Sequence, residues 1–166
     1  MIFRKWKHWL LNVAIVITIF LIVSAWQSRD LVSEQKPAPT FQLSTISGSN
    51  INLEDLQGKP VLIYFFAPWC KICDLSISNL NWVRKIRGEE YLTILAVALS
   101  YNNIKSIESF LERNTIEIPV LLGTPEILNL FHVSAFPTIY TINESGKINS
   151  STVGYTTILG LLWRTY

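Results

Sequence analysis

Apolar positions fall into one long block at the amino end and a series of short, spaced blocks after it. Residues 9–26 (WLLNVAIVITIFLIVSAW) carry no charge, and Asn12 is their only strongly polar interruption. Eighteen residues at ~1.5 Å each make a helix about 27 Å long, close to the ~30 Å hydrocarbon core of a bilayer. Trp6, Trp9 and Trp26 stand where interfacial aromatics gather, and Arg4, Lys5 and Lys7 precede the block. That bias predicts residues 1–8 in the cytoplasm, a single span over 9–26 and export of everything beyond. Val23-Ser24-Ala25 resembles a signal-peptide cleavage site, but the apolar block is longer than the usual ~7–15 residues. An uncleaved signal-anchor is the favoured reading.

Beyond the block the period changes. Residues 27–38 are polar and Pro-containing, a predicted linker, and one domain is expected over 39–166. Phe41-Gln42-Leu43 and Ile51-Asn52-Leu53 alternate around Ser47-Gly48-Ser49-Asn50, which reads as a hairpin. Val61–Phe66 is apolar throughout and Leu92–Leu99 nearly so, as strands covered on both faces of a sheet are. Between them Leu75, Ile77, Leu80, Trp82, Val83 and Ile86 predict a helix with a broad apolar face, ending near Gly88. Asn102 or Asn103 can cap a helix bearing Ile104, Ile107, Phe110 and Leu111. A short strand follows at Ile118–Leu122, and Thr124-Pro125 opens a helix through Phe131. Residues 138–142 and 147–153 read as strands around the turn at 143–146, and 156–166 as a closing amphipathic helix. This order predicts an α/β sandwich with a mixed sheet.

Charge refines the picture. The whole chain carries +2, yet from Asp30 onward ten Lys/Arg face twelve Asp/Glu, a balance of −2. The basic excess therefore belongs to the amino flank. Cations of the remaining part are scattered rather than striped, so no nucleic-acid partner is expected. The mean hydropathy of +0.31 is raised by one segment and does not signal a polytopic membrane protein. The N-x-S matches at Asn143 and Asn149 lie in turn-like sequence and are read as turn chemistry.

The chain has two cysteines, Cys70 and Cys73, in Trp69-Cys70-Lys71-Ile72-Cys73, directly after the apolar run and Ala67-Pro68. A structural zinc site takes four ligands, and the two histidines, His8 and His132, lie far from the pair in sequence. Copper(I) binding by the dithiol is the rival reading, but Met1 is the only methionine. No metal or other cofactor is called for. A strand that ends at a C-x-x-C and passes into a helix puts Cys70 at the helix N-terminus, where free N–H groups favour the thiolate. One turn on, Cys73 can close a ring onto it. This is the pattern of a thioredoxin-like redox site. His132 reads as a surface histidine near a helix end.

Five segments together resemble the membrane-anchored thioredoxin-like proteins of the TlpA/ResA/CcmG group. They are Pro39-Thr40-Phe41-Gln42-Leu43, Gly58-Lys59-Pro60-Val61-Leu62, Phe66-Ala67-Pro68-Trp69-Cys70, Ile118-Pro119-Val120-Leu121 and Phe136-Pro137-Thr138. The carboxyl end, with Gly154-Tyr155-Thr156-Thr157, Gly160-Leu161 and Arg164, resembles the subgroup called suppressor of copper sensitivity D, or protein disulfide oxidoreductase. The resemblance implies a thioredoxin-like three-layer sandwich with an N-terminal hairpin. It also implies a cis bond between Phe136 and Pro137 beside the cysteines, and a thiol:disulfide oxidoreductase. Cys70 would be the nucleophile and Cys73 the resolving thiol, with Trp69, Phe136 and Pro137 against the substrate. Exported proteins with disulfides or thiols would be the substrates, and a membrane electron donor the source of reducing equivalents.

Two departures stand out. Thioredoxin carries a buried acid six residues before its first cysteine, where this chain has Tyr64, and ResA-like proteins carry glutamate after the first cysteine, where this chain has Lys71. Lys71 adds a positive charge beside Cys70 and is expected to favour its thiolate and a more oxidising disulfide. The acceptor of the Cys73 proton is left open.

Overall fold

The computed structural model describes residues 9–19, 22–23, 31–32 and 35–165. Residues 9–19 and 22–23 are helical, and their side chains face outward. Among the described residues no helix is long and apolar enough to cross a membrane. Residues 1–8, 20–21 and 24–26, on which the cytoplasmic end and the rest of the expected span fall, lie outside the described set.

The predicted hairpin forms from β1 (Gln42–Ser44) and β2 (Asn50–Asn52), paired antiparallel, with a 3-10 turn at Leu53–Leu56 after it. The main sheet has five strands in the order β5-β4-β3-β6-β7. These are β3 (Val61–Phe66), β4 (Thr93–Ala98), β5 (Val120–Leu122), β6 (Thr138–Ile142) and β7 (Ile148–Val153). β3 pairs parallel with β4 and antiparallel with β6, so the sheet is mixed. Helices α1 (Lys71–Ser76), α2 (Ser78–Arg87), α3 (Ile104–Asn114) and α4 (Pro125–Leu130) lie between the strands, and α5 (Ile158–Arg164) follows β7.

Alternation along β3 separates two cores. Leu62, Tyr64 and Phe66 pack with Leu80, Val83, Ile107, Phe110 and Leu161, from α2, α3 and α5. Ile63 and Phe65 point the other way, against Phe41, Leu53, Ile127 and Phe131. Helices on one face, and α4 with the hairpin segment on the other, make the three layers expected of the α/β sandwich. Phe66 stacks on Phe110 at 4.7 Å between ring centroids, which fixes α3 over the carboxyl end of β3.

Two expectations change. The helix after the cysteines is not one apolar slab: Ile77, Leu80 and Val83 are buried, whereas Leu75 (71 % exposed), Trp82 and Ile86 face out. At ~100° per residue, Trp82 lies about 200° round from Leu80, on the far side of the helix. The polar stretch read as a linker, 27–38, also contributes to the domain. Leu31 is buried with Phe131, the Val32 N–H donates to the Tyr140 hydroxyl at 3.0 Å, and Gln35 N–H donates to the Ile148 carbonyl at 2.7 Å. Packing thus reaches back to within five residues of Trp26.

Candidate active site

β3 delivers the chain through Ala67-Pro68-Trp69 to Cys70, which is the N-cap of α1. Here the Cys70 backbone is extended, and its sulfur accepts a hydrogen bond from the Cys73 N–H at 3.2 Å. An N–H aimed at that sulfur stabilises negative charge on it once the bond is reduced. Cys70 and Cys73 form a disulfide with their Cα atoms 5.2 Å apart. The two differ in access: Cys70 keeps 6 % of its surface and Cys73 none.

Trp69 is 65 % exposed and is held at both ends of its ring. Its indole N–H donates to the Ser100 carbonyl at 2.9 Å, and Phe136 meets the ring edge-on at 5.8 Å between centroids. The Phe136–Pro137 bond is cis, as the family resemblance implied. Pro137 is buried, its carbonyl accepts from Gly154 N–H at 2.7 Å, and Thr138 Oγ1 donates to the Ala135 carbonyl at 2.7 Å. These bonds fix the loop that presents Phe136. Cys70, Cys73, Trp69 and Phe136 therefore share one end of the sheet, with Pro137 in the adjoining turn. Lys71 is the first residue of α1 and is exposed, beside Cys70 in the chain. His132 is exposed, with a left-handed backbone (φ 51°), past the end of α4.

Three residues around the pair were not singled out as site residues by sequence reasoning. Ser76 Oγ bonds the Ile72 carbonyl at 2.9 Å and the Tyr64 hydroxyl at 2.7 Å. Burial pushes the Tyr64 phenol well above the ordinary tyrosine range, partly offset by the Ser76 bond and reinforced by the nearby Asp74 charge. Asp74, directly after Cys73, accepts from Asn114 Nδ2 at 2.8 Å and pairs with Arg113 at 3.5 Å, tying α1 to α3. Position Asp74 was visible as a charge next to a cysteine. Ser76 carried no signal, because it sits among apolar residues of an amphipathic helix. Among the described residues no three His, Cys, Asp or Glu side chains come together as a metal site needs.

The AhpC/TSA family matches residues 35–151, most of the chain. The chain belongs to that family. The thiol-disulfide oxidoreductase ResA of Bacillus subtilis is 31 % identical over 132 residues, covering 79 % of this chain and 72 % of ResA. The thioredoxin-like protein YneN of Bacillus subtilis is 28 % identical over 158 residues, covering 89 % of this chain and 91 % of YneN. The same fold is found in a thiol:disulfide interchange protein of the thioredoxin family from Chlorobium tepidum (TM-score 0.71, 24 % identity, 81 % of this chain and 96 % of that one). With a disulfide-forming pair at the head of α1 and these relatives, the chain is a thiol:disulfide oxidoreductase.

Proposed function

We propose that the protein is a membrane-tethered, extracytoplasmic oxidoreductase that reduces disulfides of exported proteins through Cys70 and Cys73. The observation that carries the catalytic part is the asymmetry of the pair: Cys70 at the rim under Trp69 and Phe136, Cys73 sealed behind it. In the reduced enzyme the Cys70 thiolate attacks one sulfur of a substrate disulfide. A Cys70–substrate bond forms, and the second substrate sulfur leaves as a thiolate and is protonated. Cys73 then attacks Cys70 Sγ, the mixed disulfide breaks, and its electron pair leaves on the substrate sulfur. Two electrons have passed from dithiol to substrate. Lys71 adds positive charge near the attacking sulfur, and Trp69 with Phe136 shapes the surface an extended peptide meets. A membrane electron donor would return the pair to the dithiol state. Assignment to the copper-sensitivity subgroup belongs to this proposal too, on the carboxyl-terminal resemblance alone.

Tethering is supported by the uncharged block 9–26 and by where the domain begins. From Trp26 to Leu31 the chain spans at most about 18 Å, so the domain would stay close to the surface its anchor enters. The cationic Arg4, Lys5 and Lys7 favour the amino end inside. A reporter fused after Tyr166 is expected to work only if it functions outside the cytoplasm, with the full-length chain recovered in membranes. A cytoplasmic reporter signal overturns the topology, and a shortened soluble product beginning near Trp26 supports cleavage instead.

A further inference from the structure

Behind the disulfide lies a polar pair that the steps above do not use. β3 alternation turns the Tyr64 side chain into the same core as Cys70 and Cys73. Ser76, three residues after Cys73 and four after Ile72, faces inward from α1 and is buried. A serine hydroxyl has one proton to give. Ser76 gives it to the Ile72 carbonyl at 2.9 Å, so the 2.7 Å contact with Tyr64 is donated by the phenol. The bonds therefore run in one direction, from Tyr64 to Ser76 to the carbonyl of Ile72, inside the Cys-Lys-Ile-Cys turn.

Among the described residues no buried ionised side chain backs this chain of bonds. The buried polar side chains of the described residues include no carboxylate: besides the tyrosines they are Thr45, Ser76, Thr138 and Thr141. Elements packed over Tyr64 present Phe66, Ala96 and Ala98 from β3 and β4, Ile107 and Phe110 from α3, and Ile139 from β6. Asp74 is the nearest charge, and it turns toward Asn114 and Arg113 on α3. Lys71 is on the exposed side of α1.

We propose that Tyr64 and Ser76 are positioning residues of the dithiol, a neutral hydroxyl pair that pins the Ile72 carbonyl and so holds the turn from which Cys73 attacks. This rests on Cys70 attacking and Cys73 resolving. It carries two consequences. Removing either hydroxyl loosens the turn and slows resolution, whereas the first attack depends on Cys70 and its rim. With no buried base behind the pair, the proton that Cys73 loses passes to the departing substrate thiolate. The pH dependence of resolution then follows thiol ionisation alone.

The test uses the full-length reduced chain in detergent, with oxidised glutathione as probe. Each turnover releases one glutathione when Cys70 is captured and a second when Cys73 resolves. Tyr64→Phe and Ser76→Ala are expected to slow the second release relative to the first by about three- to tenfold, the scale of one lost buried hydrogen bond. Ser76→Thr, which keeps a donor, is expected to restore it. Between about pH 5 and about pH 9 the native second release should show no ionisation beyond those of the thiols. An unchanged release ratio in both variants overturns the proposal, and so does an extra ionisation that Asp74→Asn abolishes. Should Tyr64→Phe fail to fold, the pair Ser76→Ala and Ser76→Thr decides alone. Mapping the trapped glutathione separates the two layers: an adduct on Cys73 overturns the assignment of the nucleophile itself.

Discussion

The front and the back of the disulfide are built from opposite materials. In front, Cys70 meets a partly exposed rim in which Trp69 is fastened to Ser100 and braced by Phe136. At the back, Cys73 is fully buried in the core that holds Tyr64, Ile77, Leu80 and Phe110, and the Tyr64 hydroxyl there meets that of Ser76. Two sulfurs joined to each other thus meet different worlds. In the proposed mechanism, access selects the sulfur that a substrate reaches, and burial keeps the other in reserve until the mixed disulfide forms. The front is specified by ring contacts between segments far apart in sequence. The back is specified by one strand and the helices packed on it.

The largest expected break of this contrast is chemical. Cys70→Ser should reduce disulfide exchange to background, while Cys73→Ser should keep the first attack and accumulate mixed disulfides through Cys70, resolved by non-reducing electrophoresis. Adducts in equal amount on either single-cysteine variant would mean that front and back do not differ.

Next in size is packing. Phe66→Ala empties the stack on Phe110 behind the site and should cost about 3–5 kcal/mol in denaturant unfolding. Leu75→Ala, on the outer side of α1, should stay within about 0.5 kcal/mol. Equal effects would erase the distinction between the core behind the site and the outer side of α1.

Much of the back was legible in the sequence. Val61–Phe66 and Leu92–Leu99 are too apolar for a solvated face, so their central position followed directly, and Cys-x-x-Cys at a strand–helix junction announced the chemistry. The front was legible only through family resemblance, because nothing local says that Trp69 meets Phe136, sixty-seven positions later. Three details escaped for physical reasons. Leu75, Trp82 and Ile86 are apolar without being buried, and residue type alone does not tell the inner from the outer side of a short amphipathic helix. Ser76 gains its meaning only from the hydroxyl across from it. Leu31 joins the core from a polar stretch, next to Val32, whose N–H donates to the Tyr140 hydroxyl.

A smaller effect sharpens the role of the rim. Trp69→Ala removes one hydrogen bond and one ring contact, and should destabilise the domain by about 1 kcal/mol. Exchange with a peptide disulfide should slow more than exchange with oxidised glutathione, because only the peptide uses the surface around Cys70. Equal slowing for both would make Trp69 a structural residue only.

The effect confined to the narrowest conditions concerns buried phenols at high pH. Burial pushes Tyr140 up to about 12, and Tyr64 is raised as well. The unfolded chain releases these protons first, near pH ~10, so it binds fewer protons than the folded state above that point. Stability is then fully present below about pH 10 and falls as pH rises toward about 12. Tyr140→Phe should flatten part of that decline in alkaline unfolding curves; an unaltered slope would count against its burial as a neutral group.

The most direct test of the account is the order in which the two reduced thiols react. A sub-stoichiometric alkylating agent, followed by peptide mapping across a pH series, reports each sulfur separately. Cys70 should be labelled first and at pH values well below the ~8.5 of a free thiol, with Cys73 protected until the chain unfolds. Labelling of Cys73 before Cys70, or a Cys70 that titrates as a free thiol does, would contradict it.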